Sequence, residues 1–162
     1  MTTNSARRRP SLKDKISGPN ALPIAKLVAR GESASQRVQE EVGDFLHLRI
    51  NQLEGLAAGL VGEEAGIAAW KEFYTIVHDI RGSCALAGKA SASAFCVSLE
   101  SLLQQRDPAD PRMHVAIKSH INALNLVMSG RANDENSQHL LASQLSRAVE
   151  CLPLKQRYLR TG

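Results

Sequence analysis

Apolar residues recur at intervals of three and four through most of this chain and never give way to strand-like alternation. Trp70, Phe73, Tyr74, Val77, Ile80 and Cys84 form the clearest of these stripes. A period of 3.6 residues carries them along one side of a helix. Val38, Val42, Phe45, Leu53, Leu56 and Leu60 repeat the pattern upstream. Downstream it returns in Phe95, Leu99, Leu102 and Leu103, in Val115, Ile117, Ile121, Leu124 and Val127, and in Leu140, Leu141, Leu145 and Val149. Such stripes can be buried only against one another, so the chain is expected to be all-α, an antiparallel bundle with short connections.

Punctuation residues set the expected boundaries. Ser33 and Gln36 have capping-box spacing and open a first helix that Gly62 ends. A second runs from about Glu64 to Ala87 and is closed by Gly88, and a third from about Ser91 to Gln105. Asp110 and Pro111 suit the cap and first turn of a fourth, which reaches Met128 before Gly130. Asn133 or Asp134 can cap a last helix that extends to Leu152, before Pro153. Residues 33–152 therefore form the bundle. Residues 1–32 form a basic arm, with a short helical piece at Ile24–Arg30, and residues 153–162 form a tail.

The net charge of +4 would suit a nucleic-acid binder if it were spread over the folded part. It is not. Arg7, Arg8, Arg9, Lys13 and Lys15 stand against Asp14 alone within the first 15 residues, which leaves the remainder neutral. A neutral body is a poor footprint for a phosphate backbone, so no nucleic-acid partner is expected of it. The three cysteines, Cys84, Cys96 and Cys151, have no short metal-ligand spacing and sit among apolar helical neighbours, which predicts buried thiols in a reducing compartment. No apolar run follows the N-terminal arginines and none approaches a membrane span. A cytoplasmic protein with no membrane partner is expected.

The segment that bears chemistry is Val77-His78-Asp79-Ile80-Arg81-Gly82-Ser83-Cys84. At about 100° per residue, His78 lies roughly 120° from the centre of its stripe, on the flank of the bundle and open to solvent. Gly82 falls one turn further along, beside it. A mid-helix glycine costs about 1 kcal/mol relative to alanine, and access offsets that cost, because bare backbone lets another protein approach the imidazole. Lys71 shares the face, and Arg81 is the next helical neighbour, with a stem long enough to bend outward. Two cations beside an imidazole suit a group that acquires a phosphoryl dianion. Asp79 points elsewhere. His47, His114, His120 and His139 lack such surroundings, and the spacing of His114 and His120 does not place a zinc pair on one face.

The segment resembles the signature of the histidine phosphotransfer (HPt) family. His78 is followed by the aliphatic Ile80, the basic Arg81, Gly82 and then Gly88, with the Leu99–Glu100 pair on the next helix. Arg81 stands where lysine is commoner, Ala87 where a larger apolar residue is frequent and Ala92 where leucine is typical. The resemblance covers about Trp70 to Leu103. It implies a four-helix bundle of HPt type with an additional N-terminal helix or arm, and His78 as phospho-acceptor, with Arg81, Lys71 and Gly82 around it. It implies a phosphocarrier rather than a kinase, since no ATP-binding core is present. No cofactor or metal is expected on this chain, because the partner supplies the Mg²⁺. The implied partners are response-regulator receiver domains and a hybrid or other sensor histidine kinase. Two other readings remain open: a phosphotransfer-inactive module of the same fold that docks receivers, and an adaptor acting through Arg7–Lys15.

Overall fold

The computed structural model describes residues 23–60 and 66–155. The basic cluster at residues 7–15, the expected stop at Gly62, the expected start at Glu64 and the end of the tail lie outside them. Five helices are described: α1 Ile24–Gly59, α2 Ile67–Leu86, α3 Ala90–Gln105, α4 Arg112–Met128 and α5 Glu135–Glu150. There is no strand among the described residues, only an isolated antiparallel bridge between Arg106 and Leu154. No described helix is long and apolar enough to cross a membrane.

The chain divides after Glu40 into two units. In the first, the described residues are exposed except for the half-buried Leu27. The second holds the core as a helical bundle. Leu46, Ile50, Leu53 and Ala57 of α1 are buried in it, as are Phe73, Ile76, Val77, Ile80 and Cys84 of α2. α3 is central: it packs on α2, α4 and α5 and buries Ala92, Phe95, Cys96, Leu99, Leu102 and Leu103. Phe73 and Phe95 are the largest fully buried side chains. Each such residue withdrawn from water contributes about 1.5–3 kcal/mol before entropy is counted.

Several expectations need correction. α1 begins at Ile24 and runs through Gly31 and Ser33 without a break. Pro23 sets its start, its carbonyl accepting from the amides of Lys26 and Leu27 at 2.8 and 3.2 Å. Ser33 and Gln36 form no capping box; the Gln36 amide instead donates to Glu40, one turn on, at 3.1 Å. Lone Gly and Ser residues are tolerated because Ala, Leu, Glu, Gln and Arg around them favour helix. Val38, Phe45, Val115 and Leu140, which belong to the periodic stripes, are exposed. Cys151 is exposed too, at the end of α5, unlike the buried Cys84 and Cys96.

The helix stops obey glycine stereochemistry. Gly88 and Gly130 have φ of +68° and +73°, the left-handed region that glycine enters without a Cβ clash. Past Gly88 the Lys89 amide returns to the Cys84 carbonyl at 2.8 Å, and past Gly130 the Arg131 amide returns to Leu126 at 2.9 Å. Both are Schellman motifs, which satisfy carbonyls that the helix end would orphan. Asp110 accepts from the Arg112 amide with Pro111 in helical geometry, and Asp134 caps α5 through the Ser137 amide at 2.8 Å.

His120 on α4 is fully buried. Its Nδ1 lies 2.7 Å from the Ala116 carbonyl and its Nε2 2.9 Å from the Ser98 hydroxyl. A neutral ring satisfies both, with Nδ1–H donating to the carbonyl and the hydroxyl donating to Nε2. Burial pushes its pKa below the usual histidine value, against a smaller upward pull from the Ala116 bond. The unfolded chain, with an ordinary histidine near 6.5, therefore binds the proton first. Stability from this group is complete above about pH 6.5 and is lost as the pH falls below it. Urea midpoints measured from pH 7.5 to 5.5 should fall for the wild type, and fall less for His120→Gln.

Candidate functional site

The turn at Gly88 and Lys89 sends α3 back along α2. Ser93 of α3 donates to the Arg81 carbonyl, Glu100 meets His78 and Gln104 meets Tyr74. The pairs run in opposite order along the two helices, so the helices are antiparallel. On the flank of this hairpin stands His78, its side chain 55% exposed. Ile80 and Val77 beside it are buried, so the stripe that buries them turns the imidazole outward.

Glu100 is only 6% exposed. Arg81 donates through Nη1 to Oε2 of Glu100 at 2.6 Å, and Oε1 lies 3.1 Å from His78 Nδ1. A second Arg81 nitrogen stands 3.5 Å from the same Nδ1. The two contacts ask opposite things of that nitrogen, since a carboxylate needs N–H and a guanidinium needs a lone pair. The carboxylate is the nearer of the two, so the proton is assigned to Nδ1. The Nε2 lone pair is then the free one. Among the described residues no group hydrogen-bonds to it.

Tyr74 lies one turn before His78. The two rings have centroids 6.4 Å apart and planes inclined by 24°. Gln104 donates to the Tyr74 hydroxyl at 2.7 Å. Beneath the site Cys84 and Cys96 are buried. Burial pushes the Cys84 thiol up to about 11 and raises that of Cys96 as well, so both stay protonated and pack as small apolar groups.

The structure thus brings together His78, Arg81 and Gly82 from the expected set. The glycine is exposed, and a Cβ built on it meets nothing within 4 Å. Arg81 is directed differently from the expectation: its head turns inward onto Glu100 rather than out to solvent. Lys71 makes no described contact with His78 and lines a groove with Arg49, Leu56, Ile76 and Asp79. Asp79 is paired there with Arg49 at 3.2 Å. The exposed large apolar side chains of α2, Ile67 and Leu86, stand at its two ends, away from His78. Two residues of the site were not singled out as such by sequence. Glu100 was visible only as half of a Leu–Glu pair, and Tyr74 was counted with the apolar stripe.

The pairing of Glu100 has a measurable consequence. Removing Arg81 strands a buried carboxylate, whereas removing both partners does not. Arg81→Met should destabilise the fold by about 2 kcal/mol. Adding Glu100→Met should recover most of that loss in urea denaturation.

Compared with family models, with curated proteins and with solved structures, the chain finds no match in any of the three.

Proposed function

We propose that this chain is a phosphorelay carrier of the HPt type, an antiparallel four-helix bundle with an additional N-terminal helical segment, which accepts a phosphoryl group on Nε2 of His78. The observation that carries this reading is the exposed imidazole whose Nδ1 is held by a buried, arginine-paired glutamate. A solvated histidine with no task needs no such anchor.

In the proposed reaction the Nε2 lone pair attacks the phosphorus of a receiver domain's aspartyl phosphate. The P–N bond forms as the P–O bond to the aspartate breaks, and the freed carboxylate stays on the receiver. No proton need leave, because the proton on Nδ1 remains there, hydrogen-bonded to Glu100. Attack makes the ring cationic, and the Glu100 carboxylate offsets that charge, lowering the cost of the transition state. Arg81 holds Glu100 in place through its other oxygen. Phosphoryl transfer otherwise asks for in-line positioning, and the receiver supplies Mg²⁺ and the acidic pocket. Transfer to a second receiver reverses the same steps, and a sensor histidine kinase, hybrid or otherwise, feeds the relay. Neutral histidine is a competent nucleophile near pH 7.

The test is transfer from a phosphorylated receiver to the purified protein. Acid-labile, base-stable label should appear on the wild type and be absent from His78→Gln, with the phosphorus on Nε2 by NMR. Binding of receivers without any label would replace the carrier with a docking module.

Gly82 offers a second check. Open space around it means that Gly82→Leu should not weaken the fold, and helix propensity favours a gain of up to about 1 kcal/mol. Transfer from a receiver should nevertheless slow at least tenfold, because the new side chain occupies the approach to the imidazole. Unchanged transfer would remove the access argument.

A further inference from the structure

We infer that Tyr74 is a positioning residue for His78: its ring, steadied from α3 by Gln104, fixes the plane of the imidazole so that Nδ1 meets Glu100 and Nε2 faces outward. The inference rests on the carrier reading for its consequence in transfer, but not for its structural content.

A single hydrogen bond at Nδ1 leaves an imidazole free to swing about that bond. It also leaves a flipped ring available, in which a carbon takes the place of Nδ1 and the carboxylate loses its donor. With 55% of its side chain exposed, His78 has little packing of its own to prevent either motion. The Tyr74 ring lies against it at 6.4 Å and 24°, within the range in which ring pairs contribute about 0.5–1.5 kcal/mol. That energy holds one ring orientation about two- to tenfold over its competitors. A free tyrosine ring would be a poor reference, since its own χ angles would have to be fixed first. Here the ring is half-buried, and its hydroxyl accepts from the Gln104 amide at 2.7 Å. The imidazole is thereby tied to α3 twice: directly through Glu100 at 3.1 Å, and through Tyr74 and Gln104 one helical turn away. Neither Tyr74 nor Gln104 is placed to take a proton in transfer, so the role is one of orientation.

The experiment compares wild type, Tyr74→Phe and Tyr74→Leu. The free protein is read by ¹⁵N NMR of the His78 ring, and labelling is read with phosphoramidate, a small donor that needs no docking surface. In the wild type His78 should be held as one tautomer, with its proton on Nδ1. Tyr74→Leu should move the ring toward the mixture of a free imidazole and slow labelling by about the two- to tenfold that the stacking energy allows. Tyr74→Phe keeps the ring face but loses the bond from Gln104, and should fall between the other two in both readouts. A merely structural role would alter thermal unfolding without moving the tautomer ratio, and an unchanged ratio in Tyr74→Leu overturns the inference. If the wild type takes no label from phosphoramidate or from a phosphorylated receiver while the tautomer ratio still responds to Tyr74→Leu, the carrier reading fails and the positioning role stands.

Discussion

A carboxylate taken out of water costs several kcal/mol unless charge and hydrogen bonds meet it, and Glu100 is such a carboxylate. Everything distinctive about the α2–α3 hairpin answers to it. Arg81 neutralises it at 2.6 Å, which fixes the register of the two helices. Its second oxygen is then left to a single neighbour, the imidazole of His78. The same contact orders the histidine and sets which nitrogen carries the proton. One ion pair in this hairpin therefore bears on both the alignment of the helices and the tautomer of the imidazole.

How far the sequence could reach depended on the type of signal. The helices were legible because apolar side chains must share a face, and the stops at Gly88 and Gly130 because only glycine enters the left-handed region cheaply. The position of His78 followed from rotation about the helix axis alone. The start of α1 was not legible: Gly31 and Ser33 are boundary residues elsewhere, but high helix propensity on both sides carries the helix through them. The stripe also over-assigned the core. Val38, Val115 and Leu140 have the right spacing but are left exposed by the described residues, and burial depends on neighbours that periodicity does not name.

The site itself divided along the same line. What lay on one helix, His78 with Gly82 one turn on, could be placed from numbering. What crossed to a second helix could not. Arg81 was expected to reach outward because its partner, Glu100, lies 19 residues away on α3. Tyr74 looked like core because an aromatic at stripe spacing usually is, and its half-exposed ring beside His78 emerges only when α3 is in place. Lys71 shows the converse, since sharing a helical face with His78 does not bring it into contact, and it lines a separate groove.

The Schellman turn at Gly88 has one further effect. It keeps the connection between α2 and α3 so short that His78, Arg81, Tyr74, Glu100 and Gln104 all belong to the 39-residue stretch from Ile67 to Gln105. Their contacts span at most 30 residues, so the entropy of closing the chain around the site is small. Local closure of this kind is the hallmark of low contact order and rapid assembly. The chemical centre is thus written into a contiguous helical hairpin, and the outer helices lend it burial rather than residues.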